Sequence, residues 1–255
     1  MLFHVQETLH PGWPVEIILT GSQPLTTNIT EALGTVCQTI LCSYASTESS
    51  YVAYYRVSTP SEFRDYSCGY LMSGSGSEIK IVREDGSILP VNTRGEIYIK
   101  GPGLFKDYHN EPDKTKAAFT EDGWFRTDDM GRISEDGRIY IDGRKSNVII
   151  YNGIKVVPEL MESVLKSYAG VFSVVVVPVK DELFHQVLCV CVQPTEGSTV
   201  TEEDVRKFCE RIHNDKPGIV TVLPKFYLFM NSFPVTTTGK TSRKDLERIA
   251  AERFG

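Results

Sequence analysis

The sequence predicts an α/β segment, then a β-rich unit, then a small α+β module. Three features predict it. An apolar run, Val15–Thr20 (VEIILT), reads as a buried strand and leads through a turn and a short helix to a second strand. Between Gly69 and Asp142, short alternating strands are divided by hairpin turns. After Gly143, strands and helices of a third texture fill roughly one hundred residues, a plausible domain size. The divisions expected are 1–68, 69–144 and 145–255.

In the first segment, the turn is Gly21–Leu25 (GSQPL), the short helix Asn28–Gly34 and the second strand Thr39–Ser43. In the second, Glu78–Arg83, Gly95–Lys100 and Arg138–Asp142 alternate as half-buried strands do. Glu84-Asp85-Gly86 and Glu135-Asp136-Gly137 supply the turns. A helix from Pro112 to Phe119 interrupts them. The result is expected to be a small, twisted, barrel-like antiparallel unit.

In the third segment, Asn152-Gly153 is a strong hairpin signal between Asn147–Tyr151 and Lys155–Val157. Pro158 suits the first turn of a helix running to Tyr168. Val171–Val179 and Val187–Gln193 read as strands. Thr201 and Asp204 form a capping box for a helix to Asn214. A strand at Lys225–Asn231 and an amphipathic helix at Arg243–Phe254 complete the module.

Composition excludes several classes. Of 255 residues, 41% are hydrophobic and 24% charged, enough to bury a core. A net charge of −6 argues against a nucleic-acid surface, while leaving room for a local nucleotide site. The six cysteines include no C-x-x-C pair. Cys189 and Cys191 would share one face of a strand. They read as buried thiols of a reducing compartment, with disulfides or a zinc site as the alternatives. Val171–Val179, the longest apolar run, is too short to cross a bilayer, so no transmembrane segment is expected. The first residues, MLFHVQETLHPGWP, lack the basic and apolar regions of a signal peptide. The location expected is intracellular, cytoplasmic or mitochondrial.

Four segments carry the chemistry: Tyr44–Ser49 (YASTES), Trp124–Gly131 (WFRTDDMG), Gly143–Glu162 (GRKSNVIIYNGIKVVPELME) and Pro234–Arg243 (PVTTTGKTSR). The first follows a strand, and ligands of open α/β sheets bind at strand C-termini. An aromatic ring offers a face to a base, a hydroxyl donates to phosphate, and a carboxylate holds Mg²⁺. Asp129 can accept from two adjacent ribose hydroxyls. Lys240 follows a glycine that permits a tight turn. There a lysine can bring a full positive charge to a developing anion. Each motif alone also reads as ordinary structure: a polar loop, a capping aspartate, a surface ion pair at Arg144, a solvated lysine, a hairpin linker.

Together, and in this order, the segments resemble the adenylate-forming superfamily of acyl-CoA synthetases, luciferases and peptide-synthetase adenylation domains. Gly21-Ser22-Gln23-Pro24-Leu25 is similar to a fifth family motif. The resemblance implies the end of a large AMP-binding domain followed by a small, mobile C-terminal domain. It implies an acyl-adenylate made from ATP and a fatty or other carboxylic acid, with CoA then displacing AMP. Gly21, Ser22, Gln23, Pro24, Tyr44, Ala45, Ser46, Thr47, Asp129 and Arg144 would hold the nucleotide, Tyr44 by its ring. Glu48 would hold Mg²⁺ and Lys240 would be the catalytic lysine. Ser146 would be the hinge, and Gly153 would line the CoA path.

The sequence also departs from the family's pattern. No Ser/Thr/Gly-rich phosphate loop occurs in it, and the resemblance therefore implies a C-terminal portion, inactive by itself. Ala45 and Asp128 stand where the family has glycine, and Ser146 where it often has Asp or Lys. PELME keeps Pro158 and Glu162 but shifts an acid to Glu159. The other reading is a non-catalytic module binding a nucleotide or a protein. A carrier-protein thiol in place of CoA is a third. Tyr51–Tyr55 would line the floor of an acyl pocket or be ordinary core.

Overall fold

The computed structural model describes residues 15–21 and 27–255. The chain divides into two compact units, Met1–Lys145 and Ser146–Gly255.

The first unit is built on one eight-stranded mixed sheet. Strand β1 (Val15–Thr20) pairs in parallel with β2 (Cys37–Ser46), and helix α1 (Thr27–Gly34) makes the crossover between them. Strands β3 (Ser50–Val57), β4 (Ser67–Leu71), β5 (Glu78–Val82), β6 (Gly95–Lys100), β7 (Phe125–Ile133) and β8 (Arg138–Arg144) follow, with helix α2 (Pro112–Ala118) before β7. The order across the sheet is β1-β2-β3-β4-β8-β7-β6-β5. Residue 68 is therefore crossed without a break, through antiparallel β3–β4 and β4–β8 pairs.

The barrel-like unit expected after Gly69 is not closed among the described residues. Its strands form the far half of an open sheet, with β5 at the edge. The sheet does curl. Four strand steps separate β2 from β7, about 19 Å in a flat sheet. Yet Tyr44 of β2 reaches Asp129 of β7. Bulges between Tyr44 and Ala45, Ser67 and Gly69, Glu96 and Tyr98, and Met130 and Gly131 supply the bend. Inside the curl, Tyr44, Val52, Cys68, Ile81, Ile97, Ile99 and Ile139 form one core. Leu33 of α1 packs with Ile40, Cys42, Tyr55, Val57 and Phe63 in a second.

Val15–Thr20 is not the buried strand expected. Ile17 and Leu19 are about half exposed, 49% and 53%. Among the described residues β1 is the edge strand of the sheet, and Ile18 alone of its side chains packs against the core that holds Leu33. Tyr51–Tyr55 divides by strand period: Val52, Ala53 and Tyr55 are core, while Tyr51 and Tyr54 face out.

In the second unit, β9 (Ile149–Tyr151) and β10 (Ile154–Val156) make the expected hairpin. Its turn is Asn152-Gly153, with φ of 44° and 80°. That geometry needs positive φ at both residues, which glycine and asparagine accept. Helix α3 is Pro158–Leu165, three residues shorter than expected; strands β11 (Val171–Asp181) and β12 (His185–Pro194) are longer. Helix α4 is Glu202–Asp215, strand β13 Phe226–Phe229 and helix α5 Arg243–Phe254. The Thr201–Asp204 capping box forms.

β12 lies between β11, antiparallel, and β13, parallel. Val174, Val176, Leu188 and Val190 face α3 and α4. Val175, Val177, Cys189 and Cys191 face Leu246 and Ala250 of α5. A sheet covered on both faces has no polar side to show, which is why this stretch is an unbroken apolar run. Five of the six cysteines are buried, and all six are free thiols. No helix among the described residues is long and apolar enough to cross a membrane.

Candidate functional site

β2 continues past the expected Thr39–Ser43 to Ser46. Tyr44, Ala45 and Ser46 are thus strand residues, and only Thr47, Glu48 and Ser49 form the turn into β3. Ser46 closes that turn: its hydroxyl accepts from the Ser49 N–H at 3.1 Å and meets the Ser49 hydroxyl at 2.8 Å. Ala45 and Thr47 are exposed. Ala45 does not have positive φ, so its methyl group brings no backbone strain.

Tyr44 does not present the expected open ring face to a base; its ring lies in the core against Val52 and Ile97, 8% exposed. It offers its hydroxyl instead, which donates to Asp129 Oδ2 at 2.6 Å. Burial, the Asp129 charge and this hydrogen bond push the Tyr44 pKa well up, so the group remains a neutral donor.

Asp129 in β7 is the cross-strand neighbour of Arg144, the last residue of β8. Arg144 Nε meets Asp129 Oδ1 at 2.8 Å. The carboxylate is buried, with side-chain exposure of 9%, and the guanidinium is half exposed, at 51%. Thr127 sets the backbone: its hydroxyl donates to the Ile97 carbonyl at 2.8 Å and accepts from the Asp129 N–H at 3.0 Å. Between them Asp128 takes φ of +62°, left-handed. The family's glycine adopts this freely, whereas an aspartate does so at a cost of roughly 1 kcal/mol.

Glu48 stands at the tip of the β2–β3 turn. Its carbonyl accepts from the Phe105 N–H at 2.8 Å. Its carboxylate Oε1 accepts from the Tyr108 hydroxyl at 3.0 Å. Phe105 packs against Tyr108, Phe119 and Phe125, with centroids 4.7, 5.4 and 5.4 Å apart. Sequence reasoning missed Tyr108, because the contact joins positions 60 residues apart and no local pattern marks it. No cluster of three or more His, Cys, Asp or Glu residues suited to a metal occurs among the described residues. One hard-oxygen ligand does fit Mg²⁺, which takes one or two carboxylates and completes its shell with phosphate oxygens and water. Such an ion would neutralise phosphate charge beside Glu48.

Gly21 follows β1; a Cβ there would lie 2.9 Å from Ser43 Oγ, so the backbone passes close to β2. Ser22, Gln23 and Pro24 lie outside the described residues.

In the second unit, Lys240 sits in a closed loop. The Thr236 N–H donates to the Lys240 carbonyl at 2.7 Å, and the Gly239 N–H to the Thr236 carbonyl at 2.9 Å. Gly239 has φ of +79°, and Val235 bridges Thr241. The lysine side chain is exposed. Three residues on, Arg243 anchors the loop: Nη1 donates to the Val176 carbonyl and Nη2 to Glu162 Oε1, both at 2.6 Å. Ser146 lies in the short 3₁₀ turn Lys145–Asn147, exposed, as the first residue of the second unit. Gly153 is exposed at the β9–β10 turn, with open space beside it.

The first unit thus carries the Tyr44–Asp129–Arg144 cluster and the Glu48 turn, and the second unit the loop-borne lysine. The "AMP-binding enzyme" family matches residues 5–109, and its "AMP-binding enzyme C-terminal domain" matches residues 160–240. The chain belongs to this adenylate-forming family. It is 34% identical over 216 residues to an oxalate–CoA ligase of Arabidopsis thaliana, covering 84% of this chain and 40% of that one. It is 35% identical over 194 residues to 4-coumarate–CoA ligase 3 of Oryza sativa, covering 75% and 34%. A solved o-succinylbenzoate–CoA synthetase from Bacillus subtilis, in complex with ATP and magnesium ion, is 25% identical with a TM-score of 0.80; the match covers 96% and 49%. The chain thus spans less than half the length of these ligases.

Proposed function

We propose that this chain serves an ATP-dependent carboxylic acid–CoA ligase that works through an acyl-adenylate. The observation that carries the reading is the buried Asp129 carboxylate, fixed by Tyr44 of β2, the strand that leads into the Glu48 turn, and by Arg144. In this reading, Asp129 and Arg144 take the ribose hydroxyls. Gly21, Ser22, Gln23, Pro24, Ala45, Ser46 and Thr47 lie along the nucleotide, and Glu48 holds Mg²⁺. Lys240 then offsets the charge that builds on the α-phosphate and the attacking carboxylate. Ser146 absorbs the backbone change between the two half-reactions, and CoA passes Gly153. The acids of the relatives, oxalate and 4-coumarate, share only the carboxylate, so a fatty chain is the finer proposal.

Two assays on this chain test it. Calorimetric titration with AMP should show binding that Asp129→Asn weakens at least tenfold. ATP–pyrophosphate exchange with a panel of oxalate, aromatic and fatty acids of increasing length, run on this chain and on the same chain joined to the family's phosphate-loop region, then reads the chemistry. No AMP binding at millimolar nucleotide would remove the reading. AMP binding without exchange in this chain alone is what a portion lacking the phosphate loop should show; no exchange even with that loop supplied would favour the second reading, a non-catalytic nucleotide module. Asp128 supports that alternative, since its charge stands beside a site for a polyanion.

A further inference from the structure

We infer that Tyr108 is a positioning residue for Glu48, holding its carboxylate in the one orientation that serves a divalent cation. The inference rests on the reading of Glu48 as the metal ligand.

Glu48 is at the tip of a hairpin turn, and fixing such a long side chain costs about 1.5–2 kcal/mol in rotamer entropy. Tyr108 is far stiffer, and its surroundings immobilise it. The Tyr108 N–H donates to Thr115 Oγ1 at 2.9 Å, and that hydroxyl donates to the Glu111 carbonyl at 3.0 Å. Its ring packs on Phe105, whose N–H holds the Glu48 backbone from the same loop. One short loop therefore grips Glu48 twice, by carbonyl and by carboxylate. A neutral hydroxyl on a carboxylate is a charge-assisted hydrogen bond, stronger than a neutral pair. With Oε1 pinned, the direction of Oε2 is set. Arg144 is close enough for its charge to act on the Tyr108 hydroxyl. Hydrogen-bond partners of metal ligands commonly change metal affinity by about 10–100-fold when removed.

The test is electron paramagnetic resonance of Mn²⁺ titrated into this chain with ATP, beside calorimetry of metal-free AMP. Tyr108→Phe removes only the hydroxyl. It should raise the Mn²⁺ dissociation constant about tenfold, leave metal-free AMP affinity within about twofold, and leave the melting temperature nearly unchanged. Glu48→Gln should weaken Mn²⁺ at least as much. Should Glu48→Gln lose metal while Tyr108→Phe keeps it, the inference falls and the metal reading stands. Equal loss of Mn²⁺ and of metal-free AMP in Tyr108→Phe would mean general damage and also overturn it. If Glu48→Gln changes nothing, or the unaltered chain binds no Mn²⁺ with ATP, the metal reading fails and takes the inference with it.

Discussion

The Tyr44 hydroxyl and the Asp129 carboxylate meet at 2.6 Å across four strand steps of a curled sheet. This contact gives Asp129 a buried hydroxyl partner. Tyr44→Phe keeps the ring and the packing but leaves Asp129 one partner short in a buried place. Losing a buried hydrogen bond to a charged group costs about 1.5–3 kcal/mol. Urea denaturation should show a loss of that size, and AMP affinity should fall with it. A ring that acted only by stacking would leave both quantities unchanged.

Lys240 separates stability from chemistry. Its side chain is exposed in a loop closed by its own backbone and by Thr236. Lys240→Ala should shift stability by less than about 0.5 kcal/mol, as surface substitutions do. Loss of a preorganised charge typically costs about 10²–10³ in rate. In the chain joined to the phosphate-loop region, ATP–pyrophosphate exchange should fall by that factor, while thioester formation from preformed acyl-adenylate persists. Equal loss in both half-reactions would remove Lys240 from its proposed role.

Much of this was legible in the sequence, for local reasons. The Asn152-Gly153 turn, the Thr201–Asp204 capping box and the amphipathic α5 depend on residues within one turn of each other. The strand run Val171–Val179 was readable because burial on both faces leaves no polar positions. What escaped was tertiary. The exposure of Ile17 and Leu19 depends on where β1 falls in the sheet, which its apolar composition does not state. The Tyr44 ring was assigned to a base because its motif was read as a loop after a strand; β2 runs on instead, and its alternation puts Tyr44 on the same buried face as Ile40 and Cys42. Tyr108 lies in a loop whose partner is β2–β3, and no spacing rule links them.

Asp128 tests the backbone directly. At φ of +62° any Cβ is strained, and a β-branched one severely. Asp128→Gly removes that strain and adds freedom to the unfolded chain, so its stability should stay within about 1 kcal/mol of the parent. Asp128→Val should cost about 2 kcal/mol or more. The glycine variant also removes a charge next to Asp129, and its AMP affinity should rise, most at low salt. Equal stability of the glycine and valine variants would contradict the left-handed backbone.

The Glu162–Arg243 pair holds the Lys240 loop to the sheet. Glu162 is buried, and its Oε1 accepts from the Val176 N–H at 2.8 Å as well as from Arg243. Arg243 returns a bond to the Val176 carbonyl, so the two side chains satisfy both polar groups at the outer edge of β11. Removing one partner of a buried pair costs about 3–5 kcal/mol. Glu162→Ala should lose that much in urea denaturation, and the double variant with Arg243→Ala should lose less than the sum of the singles. Strict additivity would show that the residues do not act as a pair.

Asp181 gives the second unit a signed pH response. Its carboxylate accepts from Lys225 Nζ at 2.7 Å and from the N–H groups of Leu183 and Phe184 at 2.9 and 3.0 Å. The Lys225 hydrogen bond, then the two backbone donors, hold its pKa below the usual carboxylate value. A depressed carboxyl pKa stabilises the fold above the unfolded value, near 3.9, and that stabilisation is lost as pH falls through the folded value. Asp181→Asn abolishes the titration while keeping one acceptor oxygen. The parent should therefore be more stable than the variant at pH 6, with the gap closing as pH drops below about 4. Chemical denaturation at four pH values between 6 and 2.5 measures it, and a gap that stays constant or widens toward acid would show that Asp181 is not held as an anion.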